Sequence, residues 1–121
     1  MSREWLNLYL ASTSNAPASQ FVTRAESVVF GSKGAAVRLL EMDRSGGVVI
    51  ASSAVTGYGD AEVYLKIVST TGGERFLSAP LHTAIELRDV AKLELNILLP
   101  VGPAGTPYVA LFNAHCVYET M

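Results

Sequence analysis

The chain has 121 residues, of which 50% are hydrophobic and only 17% charged, where soluble domains carry about 25% charged residues. Nine Lys and Arg against eleven Asp and Glu leave a net charge of −2, with a pI near 5.6, which is not the basic footprint of a nucleic-acid binder. A mean hydropathy of +0.31 excludes a disordered chain, and the length fits one domain, 1–121, able to bury a core.

No stretch reads as a membrane span. Leu95 to Cys116 is poor in charge but broken by Pro100, Pro103, Pro107, Asn113 and His115. The N-terminal Arg3, Glu4 and Trp5 do not introduce the apolar run of a signal peptide. One cysteine, Cys116, cannot form an internal disulfide, so synthesis in a cytoplasm is the expectation.

In chain order, the dominant period is two. Leu6, Leu8 and Leu10 share one face of a strand and Trp5, Asn7 and Tyr9 the other. Residues 11–19 (ASTSNAPAS) read as a loop. Gln20–Phe30, rich in Val, Phe and Thr, is the next strand, and Gly31 and Gly34 bracket a hairpin turn. Ala35–Met42 and Val48–Val55 are two further strands. Asp43-Arg44-Ser45-Gly46-Gly47 between them reads as a hairpin connection, because glycine accepts the positive φ such turns need. After a turn at Gly57–Asp60, Ala61, Val63, Leu65 and Ile67 alternate with Glu62, Tyr64, Lys66 and Val68. Thr71-Gly72-Gly73 turns this strand into Glu74–Ser78, which Pro80 ends. Leu81–Leu87 and Leu93–Leu99 alternate again, with a turn or single helical turn over Arg88–Lys92. Leu87, Ala91 and Leu95 are spaced as on a helix, but alternation on both sides favours strands. Pro100–Pro107 is a loop and Tyr108–Glu119 the last strand.

Eight or nine short antiparallel strands joined by Gly-rich turns predict an all-β fold: a single-domain β-sandwich, jelly-roll or immunoglobulin-like.

Chemical motifs are sparse. His115 and Cys116 are adjacent, so on a strand their side chains point to opposite faces, and Cys116 reads as a small core residue. Two His, one Cys and the scattered Asp43, Asp60 and Asp89 make no metal-ligand cluster. Glu62, Glu86 and Glu94 fall on solvent-side positions rather than facing one another across a groove. Gly31-Ser32-Lys33-Gly34 has the Gly-x-x-Gly spacing of an RNA-binding loop, but it joins strands instead of helices. The expectation is a protein that is not an enzyme, with no catalytic residue, cofactor, metal, nucleic acid, membrane or small-molecule substrate implied.

The apolar excess sits in three segments, 48–51, 97–101 and 108–112, which are apolar on both faces where a sandwich strand needs only one. Such surface is expected to meet other subunits. The candidate interface residues are Trp5, Tyr9, Leu98, Val101, Tyr108 and Leu111, with contacts from the loops at 11–19 and 100–107. In type, a short, nearly neutral, cysteine-poor all-β chain without a site resembles the minor capsid, decoration (cement) or coat proteins of bacterial viruses. The resemblance implies a structural protein of a virion, forming a homo-oligomer or binding a larger protein shell. The alternative is a lectin-like carbohydrate-binding sandwich, with Tyr58 and Asp60, or Trp5 and Asn7, pairing an aromatic ring with a polar group for sugar hydroxyls.

Overall fold

A computed structural model describes residues 3–11, 16–17, 24–51, 56–59, 62–98 and 107–121. The described residues are all-β, without a helix. Seven longer strands are β1 (Arg3–Ala11), β3 (Arg24–Val29), β4 (Ala35–Ala51), β6 (Glu62–Ser69), β7 (Glu74–Ser78), β8 (Ile85–Leu98) and β9 (Pro107–Thr120). Two short segments, β2 (Ala16–Pro17) and β5 (Thr56–Gly59), add to β9 and β4. Every pairing is antiparallel, and the main order is β1-β9-β4-β8-β6-β7.

Two strands, β4 and β8, are much longer than the sequence pattern suggests. Asp43–Gly47 is not a hairpin connection: it continues β4, pairing residue by residue with His115 to Leu111 of β9. The glycines supply a local turn signal, but the 14-residue β9 offers a ladder partner across the whole stretch, and tertiary pairing overrides local preference. Likewise Arg88–Lys92 does not separate two strands. β8 runs through it for 14 residues, bending where Asp89 takes a φ of 56°. Leu81 stands apart from β8 and exchanges two backbone hydrogen bonds with Met42, of 2.9 and 2.7 Å.

The Gly31–Gly34 turn is also not a hairpin. β3 and β4 do not pair with each other but lie end to end along one edge of β8, β3 against Lys92–Ile97 and β4 against Ile85–Val90. The Phe30 N–H bonds the Ala91 carbonyl at 2.8 Å, and the Gly34 N–H bonds the Gly31 carbonyl at 3.0 Å. The turn is thus a jog between two collinear segments, opposite the bend at Asp89, while β6 lines the other edge of β8.

The buried apolar residues form one core. Leu6 and Leu8 of β1, Val37, Leu39 and Met42 of β4, Val63, Leu65 and Ile67 of β6, Leu87, Val90, Leu93, Leu95 and Ile97 of β8, and Ala114, Cys116 and Tyr118 of β9 all belong to it. β1 comes close to β3 and β8, with which it does not pair, so the sheet curls back on itself. Phe30 meets Tyr118 edge-on with ring centroids 6.0 Å apart, which closes the core beneath the jog.

Candidate functional site

The outward face of β1, β9 and β4 collects the aromatic and polar side chains that the core excludes. On β1, burial alternates as period two demands: Leu6 and Leu8 point in, while Trp5, Asn7 and Tyr9 point out. Trp5 is 60% and Tyr9 64% exposed, unusual for rings of this size. Asn7 lies opposite His115 of β9, and His115 in turn opposite Asp43 of β4. The His115 ring sits 6.1 Å from that of Trp5, and its Nε2 is 2.9 Å from Glu41 Oε1. His82 Nε2 lies 3.9 Å from Asp43 Oδ2 at the border of the same face. The result is an aromatic strip on the outermost strand beside a row of amide, imidazole and carboxylate groups.

Lower on the same face, Arg38 bridges Glu86 at 2.9 Å and Glu119 at 3.2 Å. The hydrogen bond to Glu86 is the largest of the effects that push the pKa of its guanidinium up. On the outer side of β8, the hydrogen bond from Lys92 holds the Glu94 carboxyl below its usual range. The Arg38 pairs tie β4 to β8 and β9, whereas Lys92 and Glu94 pair within β8.

His115 and Cys116 are separated by the sheet. Cys116 is fully buried, opposite Leu6 and Met42, and burial pushes its thiol up to about 12. A thiol with that pKa carries almost no thiolate at neutral pH, so it is no nucleophile. The native protein should therefore react with a thiol reagent at pH 8 only as fast as it opens, with urea accelerating labelling. Labelling at the rate of free cysteine, followed by absorbance in native buffer, would place Cys116 outside the core.

A pocket of about 400 Å³ opens at the corner between the jog and the bend, lined by Lys33, Gly34, Glu86, Arg88, Asp89 and Met121 among others. Its lysine and arginine are balanced by two side-chain carboxylates. Among the described residues no group of three or more His, Cys, Asp or Glu is placed to hold a metal ion.

Of the candidate interface residues, Trp5 and Tyr9 come together on one face of β1. Leu98 pairs in register with Glu62, Tyr108 with Ile50 and Ala16, and Leu111 with Gly47 and Ala11. The apolar segments 48–51 and 108–112 are thereby neighbours, Val48 and Val49 standing opposite Ala110 and Val109. Val101 lies outside the described residues, as do 12–15, 18–19 and 100–106 of the two segments expected as loops, while Ala11, Ala16, Pro17 and Pro107 are strand residues rather than loop. Tyr58 pairs with Val49, whereas Asp60 lies outside the described residues.

The sequence pattern missed a further exposed ring. Phe76 on β7 is 56% exposed and lies 6.0 Å from Tyr64 on β6. The signal was present, since Phe76 falls between Arg75 and Leu77 on the face opposite the partly buried Leu77. The chain matches no family model and no curated protein.

Proposed function

We propose that this chain is a non-catalytic structural protein that associates with copies of itself or with a larger protein shell, as a minor capsid, decoration or coat component of a bacterial virus. The reading includes the finer fold: a β-sandwich of the jelly-roll or immunoglobulin-like kind, in which the jog at Gly31–Gly34 and the bend at Asp89 form a corner between layers. One observation carries the function: two large rings, Trp5 and Tyr9, stand open to solvent on the same face of an outermost strand. Rings so placed on a folded surface favour an interface, where tryptophan and tyrosine are enriched. The apolar segments gathered along β4 and β9 add to the same argument.

Sedimentation velocity over a micromolar concentration series tests it. A weight-average mass rising above that of a 12.9 kDa monomer is expected, and Trp5→Lys should weaken the rise. A strict monomer throughout would remove self-association and leave only a different protein as the shell partner.

The carbohydrate-binding reading stands second. Trp5 and Tyr9 lie four residues apart on a strand, about 13 Å, with Asn7 between them and Asn113 opposite Tyr9. That row has the ring-and-amide composition that stacks on and hydrogen-bonds a sugar chain. Binding on a glycan array, lost in Trp5→Ala, would favour it.

A further inference from the structure

We infer that β1 of one molecule pairs antiparallel with β1 of a second copy about a twofold axis through Asn7, joining the two sheets edge to edge. The inference rests on the self-association proposed above and names the surface and register that would carry it.

β1 pairs only with β9 among the described residues and stands at one end of the sheet order. Proteins blunt such edges with short strands, charges or proline, because an open ladder recruits another strand. β7, at the other end, is blunted: it is five residues long, begins with Glu74 and Arg75, and stops ahead of Pro80. β3 carries Arg24 and the exposed Glu26. β1 is nine residues long without a proline, and its only charges, Arg3 and Glu4, are at its first two positions.

The strand is also self-complementary. With Asn7 on the axis, Trp5 of each copy lies opposite Tyr9 of the other on the outer face, and Leu6 opposite Leu8 on the core face. Two aromatic cross-strand pairs form, of the kind that stabilise antiparallel sheets, while the two Asn7 amides meet on the axis and hydrogen-bond each other. Moving the axis to Leu6 sets Glu4 against Leu8 and Trp5 against Asn7, and breaks both matches. A twofold axis normal to the sheet keeps the core faces of both copies on the same side, which an isologous contact requires. Rings of this type bury about 150–250 Å² when fully covered. The open fractions of Trp5 and Tyr9 in both copies, 60% and 64%, thus offer up to roughly 400–600 Å². With the strand edges added, the contact falls at the weak end of specific interfaces, so dimerisation at micromolar concentration is expected.

Asn7 is exposed and on the axis, so one substitution tests both the surface and the register. Asn7→Lys and Asn7→Asp each set like charges directly opposite one another and should lower the association constant about tenfold or more. An equimolar mixture of the two should recover association at least as strong as the wild type. In Asn7→Cys, mild oxidation should yield a covalent dimer, because directly opposed strand residues stand within disulfide reach. The buried Cys116 does not compete. If the wild type associates but both charged variants associate equally well, or their mixture gains nothing, the β1 pairing is wrong while self-association stands. If the wild type is monomeric throughout, the self-association reading fails and this pairing with it.

Discussion

Replacing Gly34 with alanine is expected to lower the free energy of unfolding by about 2–4 kcal/mol. Two effects combine. Gly34 has a φ of +70°, where any residue with a Cβ is strained by roughly 1–2 kcal/mol. The added Cβ would also stand 2.5 Å from Thr70 Cγ2 and 3.3 Å from both the Asp89 carbonyl carbon and the Val90 oxygen. The side chain can turn aside, but the backbone behind it is held, since Val90 pairs with Ala35 on one edge and Ser69 on the other. Gly31 provides the contrast: its φ is +94°, yet a Cβ there meets nothing within 4 Å. Gly31→Ala should therefore cost only the backbone part, about 1–2 kcal/mol. Adding Thr70→Ala to Gly34→Ala should return the part due to the methyl collision and leave the rest. Urea unfolding at constant m-value measures all of these. Equal losses at positions 31 and 34 would show that the jog does not press against the bend.

Period two assigned the core face of β1, of β6 and of the second half of β8, though not the burial of Asn96 and Val117 on the opposite face. Leu6 and Leu8 on β1, Val63, Leu65 and Ile67 on β6, and Leu93, Leu95 and Ile97 on β8 all alternate in the sequence and all lie in the core. Alternation does not say where a strand ends, and there local chemistry misled. Gly46 and Gly47 read as a turn, but a glycine is accepted inside a strand when a long neighbour supplies the ladder, as β9 does. Asp89 shows the reverse: nothing in Arg88–Lys92 announces that the strand continues through a residue with positive φ. The outward direction of Trp5 and Tyr9 was legible from neighbours on one strand. Their surroundings were not, because His115 reaches Glu41 across 74 residues of chain, and only the register of β9 against β1 and β4 brings these groups to one face. The excess of apolar residues over charge takes on a location in the same way, as Val48 and Val49 come to lie against Val109 and Ala110.

The second large effect is expected at the centre of the core. Leu95 is fully buried on a strand paired along both edges, with Glu26 of β3 on one side and Leu65 of β6 on the other. Leu95→Ala removes the apolar contacts of the lost methylenes and opens a cavity, a change that costs about 2–5 kcal/mol depending on how far the walls relax. Here relaxation is restricted. The neighbours along the strand, Leu93 and Ile97, are held by the ladders that hold Leu95, so the wall can close only if two flanking strands move with it. The loss should accordingly lie in the upper half of that range, about 3–5 kcal/mol, against a total of roughly 5–15 kcal/mol for a domain. Leu95→Met, which keeps the volume, should cost less than about 1.5 kcal/mol. Phe76→Ala, on the open edge at β7, should cost less still despite its larger side chain, because 56% of that residue already faces solvent. This ordering of the three urea midpoints is the test, since it separates burial from residue size. A Phe76→Ala loss equal to that of Leu95→Ala would mean that β7 is covered, moving the centre of the core toward that edge.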